Sequence, residues 1–242
     1  MRHPLAAAIG VTVLFVVVLF AGMIAVRPLA ATPQRIEIAG TIVRLAIAVL
    51  AAIALCRIEP SLFRAPDSRI AIAAVPMLLY MLIAFPLLFT GTLALNGSNP
   101  ALAVWTGANG FAAGVMEEIV FRGIVLALLL RIYSAAPGVI VSSLLFSLPH
   151  ALNLFAGSGE ARVVAQLVWA VLLGATFAML TIAGGSIWVA AAVHALANAF
   201  VHVNRLGIDV DARMTTSKAV LLAMAPLPLL AAAMILLRRR RA

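Results

Sequence analysis

The chain has 242 residues, of which 65% are apolar and 10% charged, against roughly 45–50% and 25% in an average soluble domain. A mean hydropathy of +1.17 excludes an ordinary soluble globular fold and a disordered chain, because a protein of this size has too little interior to hide so much apolar surface. The net charge of +9 sits at the ends of apolar runs and not in a basic stripe with interleaved aromatics, which argues against a nucleic-acid partner and for charges that orient helices in a bilayer.

One spanning helix needs about 20 apolar residues. The first run, residues 5–26, is longer than the roughly 7–15 residues of a signal-peptide core and reads as a retained helix, although Ala30 and Ala31 offer small residues for cleavage. Seven more spans follow, at 36–56, 70–95, 101–130, 136–156, 163–183, 186–203 and 219–237. Breaker chemistry separates them: Asn96-Gly97-Ser98-Asn99-Pro100, Pro137-Gly138, Gly157-Ser158-Gly159 and Gly184-Gly185. Gly107, Gly110 and Gly114 thin the first half of the fourth run, which reads as a broken or re-entrant piece. The expected fold is all-α: a single transmembrane domain over 1–242, about eight helices, with the polar residues concentrated in 101–203. The single cysteine, Cys56, allows neither an intramolecular disulfide nor a Cys-based metal cage.

Orientation follows from Lys and Arg in the loops. With the N-terminus inside, one side holds Arg2, Arg57, Arg64, Arg69, Arg131, Arg238, Arg239, Arg240 and Arg241. The other holds Arg27, Arg35, Arg162, Arg205, Arg213 and Lys218. The excess places both termini in the cytoplasm.

A charge at the middle of a spanning helix costs about 2.5–3.5 kcal/mol on insertion scales. The chain nonetheless places Glu117, Glu118 and Arg122 in one apolar run, His150 in the next, and His194 and Asn198 in the seventh. Glu118 and Arg122 are four apart, with the acid N-terminal to the base, the favourable order for an ion pair. Glu117 is rotated about 100° from Glu118 and has no partner on its own helix. Pro149 is expected to kink the helix that aims His150. At 1.5 Å per residue, Glu117 and His150 both lie about 21 Å from the face that holds Arg131, and His194 and Asn198 about 12 and 18 Å from it. Three helices therefore bring four polar groups to overlapping depths. Arg44 is expected to snorkel or to pair with a helix neighbour, and His202 to be interfacial.

Glu117-Glu118-Ile-Val-Phe-Arg122, Phe146-Ser-Leu-Pro-His150 and His194-Ala-Leu-Ala-Asn198 match E-E-x-x-x-R, F-x-x-x-H and H-x-x-x-N. In that order, on separate membrane helices, they resemble the CAAX protease and bacteriocin-processing family of intramembrane endopeptidases, related to the type II CAAX prenyl endopeptidases. The resemblance covers about residues 114–200. It implies that Glu117 and His150 hold and activate water while His194 and Asn198 face the substrate carbonyl. Glu118, Arg122 and Phe146 would then support those four residues.

Peptide hydrolysis needs an activated water and a stabilised oxyanion, and these side chains offer both. No cofactor is favoured. Zinc is the alternative, with Glu117, His150 and His194 as its ligands, although the H-E-x-x-H helix of common zinc proteases is absent. The implied partners are the lipid bilayer and a membrane-associated protein or peptide substrate, and the implied location is the bacterial inner membrane. Rival readings are a proton-coupled transporter, which uses the same residue types but usually shows two related halves, and a non-catalytic membrane scaffold or immunity protein that keeps the motifs. A rhomboid-like serine motif is absent, and Asp67, Asp209 and Asp211 all fall in loops, which leaves no intramembrane aspartate pair.

Overall fold

The computed structural model describes residues 3–29, 31–90, 99–155, 157–211 and 214–241. The expected third-span end at 91–95, residues 96–98 of the following turn, Arg2, Ala30, Ala156 and Arg213 lie outside the described residues. Among the described residues every regular element is helical.

Helix α1 spans Pro4–Val26 and α2 spans Pro33–Ile58. Both begin on proline, whose fixed φ and missing N–H suit the first helical turn. Thr32 caps α2 by accepting from the Arg35 N–H at 3.3 Å. Helix α3, Ser68–Thr90, keeps two internal prolines, Pro76 and Pro86. The fourth run starts under an Asn99 cap, whose side chain accepts from the Leu102 N–H at 3.1 Å. It comprises α4 (Pro100–Glu118), a π-helical segment (Ile119–Val125) and α5 (Leu126–Leu129). Helix α6, Ala135–Ser147, passes into a 3-10 turn at Leu148–Leu154, where Pro149 disfavours continued α-helix. Helix α7 is Glu160–Gly184 and α8 is Trp188–Asn204. The last run, expected as one span at 219–237, is α9 (Thr216–Met224) and α10 (Leu227–Arg241) joined by a short turn, and Thr216–Arg238 together is long and apolar enough to span.

Among the described residues, six helical stretches are long and apolar enough to cross a membrane: Pro4–Val26, Pro33–Ile58, Ser68–Leu88, Ala135–Leu154, Glu160–Gly184 and Thr216–Arg238. The other two expected spans, 101–130 and 186–203, correspond to the run from α4 to α5 and to α8. They carry Glu117, Glu118, Arg122, His194 and Asn198, whereas His150 lies in the 3-10 end of the Ala135–Leu154 stretch.

The glycines of α4 do not break it. They press α4 onto α8. A Cβ added at Gly114 would stand 2.6 Å from Ala195 Cα, and one at Gly110 would stand 2.8 Å from the Asn198 carbonyl oxygen. Only hydrogen fits between these backbones, the small-residue packing expected of membrane helices. The irregularity expected in the first half of this run falls instead just after the glutamates, as the π segment.

The start of α8 is tied down separately. Gly185 adopts φ 64°, the left-handed geometry that ends α7. Ser186 Oγ then donates to the Arg64 carbonyl at 2.8 Å, and the Trp188 indole N–H donates to the Phe63 carbonyl at 3.0 Å. These bonds fix where along the bundle His194 and Asn198 stand.

Candidate active site

Helix α4 ends on its two acids, and the π segment that follows turns Arg122 back beneath them. Glu118 is fully buried, and its Oε1 forms an ion pair with Arg122 Nη1 at 3.0 Å and accepts from His194 Nδ1 at 2.7 Å. The expected Glu118–Arg122 pair is therefore present, and it extends to a third group on α8.

Arg122 is 1% exposed. Its Nη2 donates to the Gly174 carbonyl of α7 at 3.3 Å. The guanidinium carbon lies 4.1 Å from the centroid of the Phe146 ring and 5.5 Å from that of Phe177. Such contacts contribute up to about 2 kcal/mol when desolvated. Phe146 also meets the His150 ring edge-on at 5.4 Å and the His194 ring at 6.1 Å. It thus stands among Arg122, His150 and His194, as a supporting residue should.

The His194 ring stacks on Phe177, with centroids 5.0 Å apart and an interplanar angle of 28°. Its Nδ1 faces a carboxylate and so carries the hydrogen. In the neutral ring Nε2 is then an acceptor, and Asn198 Nδ2 donates to it at 3.2 Å. Glu117 Oε2 lies 3.7 Å from the same Nε2. Glu117, Asn198 and His150 are all half-buried, whereas Glu118 and His194 are sealed. The half-buried groups are those a substrate could reach.

The structure thus gathers Glu117, Glu118, Arg122, His194, Asn198 and Phe146 into one cluster. His150 joins it through the Phe146 ring and lies within electrostatic reach of Glu117 and His194. Among the described residues it forms no direct hydrogen bond to either. His202 is half-buried in α8, with Arg44 and His194 among its charged neighbours.

Four participants escaped the sequence reading: Phe177 and the Gly174 carbonyl of α7, which carries no motif, and Asn109 and Glu37. Of the two expectations for Arg44, pairing with a helix neighbour holds: its Nη1 donates to Asn109 Oδ1 of α4 at 2.6 Å, and Asn109 Nδ2 donates to Glu37 Oε2 at 2.6 Å. The signal for this network was an arginine in the middle of an apolar helix.

Among the described residues no group of three His, Cys, Asp or Glu side chains is placed to hold a metal ion. In the zinc alternative of Glu117, His150 and His194, the ligating atom of His194 would be Nε2, since Nδ1 is held by Glu118.

A bundle of apolar helices around a buried acid, imidazole and amide cluster defines a multi-pass integral membrane protein with a polar centre in its interior. Residues 99–200, which carry all three motifs, match the family described as Type II CAAX prenyl endopeptidase Rce1-like. The match supports an intramembrane CAAX protease-type function in general terms. No curated protein and no solved structure matches the chain.

Proposed function

We propose that the protein is an endopeptidase of the bacterial inner membrane, with both termini cytoplasmic, that hydrolyses a peptide bond of a membrane-associated protein or peptide. Glu117 is the general base. It takes a proton from water as the oxygen attacks the carbonyl carbon, and the proton returns to the leaving amine through His150 as the C–N bond breaks. Asn198 Nδ2–H and His194 stabilise the oxyanion. Because Nδ1–H of His194 is directed to Glu118, donation from Nε2 requires the imidazolium form, with a proton taken up from water before the attack, and its charge is offset by the oxyanion as that forms. No metal takes part in these steps.

The observation that carries this reading is the placement of Glu117 Oε2 3.7 Å from His194 Nε2, with Asn198 on the same nitrogen at 3.2 Å. Base and oxyanion donors must stand this close to act on one carbonyl group. The test compares protein termini in membranes from cells that express wild type or Glu117→Gln at matched levels. New termini found only with wild type establish proteolysis and name the substrate. Identical profiles from a folded variant overturn the reading.

A further inference from the structure

Two arginines lie inside the bundle, and their surroundings differ. Arg122 has the Glu118 carboxylate at 3.0 Å. Arg44 makes no direct ion pair among the described residues. Its Nη1 is held by the neutral amide of Asn109 at 2.6 Å and touches Met23 Sδ at 3.9 Å. Its Nε is sealed from the surface and has no acceptor. Glu37 is reached only through Asn109. Asn109, which holds the guanidinium, precedes Glu117 on α4 by about 12 Å along the helix axis, a distance that a few residues of extended peptide span.

The arrangement has dedicated room. Gly40 lies one turn before Arg44, and a Cβ there would stand 2.9 Å from Arg44 Nη1 and 3.0 Å from Asn109 Oδ1. A guanidinium removed from water is costly unless an anion or a full set of acceptors replaces its hydration. Here a neutral oxygen and a sulfur replace part of it. The unmet demand is for an oxyanion, and a planar guanidinium is well shaped to meet a carboxylate.

We propose that Arg44 forms a carboxylate-binding subsite a short stretch of peptide away from Glu117. It takes a carboxylate carried by the substrate peptide, either an α-carboxylate at the chain end or an Asp or Glu side chain. This rests on the endopeptidase reading and adds to it a charge requirement at a fixed reach from the cut. Arg44 lies outside residues 99–200, so the requirement belongs to this chain's own N-terminal helices.

The test is a binding measurement that needs no turnover. The full chain is placed in phosphatidylcholine nanodiscs and titrated with hexanoate and with hexanamide. Wild type should bind the acid at least about tenfold more tightly, the scale of a charge-assisted hydrogen bond. Arg44→Met should abolish that preference, and Arg44→Lys should keep part of it. Three forms of one apolar peptide then compete with hexanoate: a free acid, a C-terminal amide, and the amide with one internal Asp. Competition by the first alone assigns the chain end, and competition by the third assigns a side chain.

Equal binding of acid and amide by wild type overturns the proposal. So does an acid preference that survives Arg44→Met, or failure of all three peptides to compete. If Arg44→Met does not fold, the wild-type comparison and Arg44→Lys still decide. If Glu117-dependent cleavage is absent while the acid preference holds, the endopeptidase reading fails and the anion subsite stands.

Discussion

His194 Nδ1 and Glu118 Oε1 stand 2.7 Å apart across the α4–α8 seam, with side chains 2% and 0% exposed. The same carboxylate oxygen holds Arg122 Nη1 at 3.0 Å. Removing the acid therefore strands a cation and frees an imidazole at once. Breaking a buried pair from one side costs about 3–5 kcal/mol, because the remaining charge stays uncompensated. Glu118→Ala should lower the unfolding midpoint by that scale, measured in detergent by thermal melting. Glu118→Ala combined with Arg122→Met should recover part of the loss. A double variant less stable than both single variants would contradict this pairing.

Glu117 should behave differently although it is the adjacent residue. It is half-buried, and it approaches His194 Nε2 at 3.7 Å. Glu117→Gln keeps the shape and removes the charge. Its stability should stay within about 0.5 kcal/mol of wild type, as for substitutions that leave the buried pairs unbroken, while cleavage is lost. A large stability loss would assign Glu117 a structural role.

The glycine seam gives a graded series. Gly114→Val places side-chain carbon against Ala195 backbone that has no flexible end to move, since even a Cβ would stand at 2.6 Å. Overpacking costs about 1–3 kcal/mol, and this site should reach or exceed the upper end with loss of activity. Gly22→Ala meets only the tip of Val43, at 2.8 Å, and should be mild. Gly10→Ala meets nothing within 4 Å and should be neutral or slightly stabilising, by up to about 1 kcal/mol, because it removes a helix glycine. Melting curves of the three variants should follow that order.

Phe146 is 1% exposed and supports Arg122, His150 and His194 from one ring. Phe146→Ala should cost about 3–5 kcal/mol and should also reduce Glu117-dependent cleavage at temperatures where the variant is still folded. Full cleavage by the folded variant would show that the ring is only packing.

The Glu118–Arg122 pair and the meeting of α4 with α8 were legible because ionisable residues in apolar helices stand out and helical spacing fixes their faces. The role of Gly107, Gly110 and Gly114 was not. Glycine weakens a helix and also lets two helices touch, and which effect prevails depends on a partner 80 or more residues away. The π segment left no trace either, since Ile119-Val-Phe-Arg-Gly-Ile-Val125 would read as ordinary α-helix. Arg44 was visible as an anomaly. Its partners Asn109 and Glu37 belong to no motif and could be joined to it only by the packing of α2 on α4.

Main-chain contact along the α4–α8 seam also sets the sliding position of the acid-bearing helix against the imidazole-bearing one. Gly114 meets Ala195 and Gly110 meets Asn198 and Ala199, so neither helix can shift along the other without lifting off it. Changes in bilayer thickness are absorbed by tilt of the lipid-facing helices, above all α1, most of whose length is unburied. The spacing between Glu118 and His194 is insulated from that adjustment. Cleavage rates compared across phosphatidylcholines of different chain length should therefore change through substrate access, with the inner geometry of the centre unchanged.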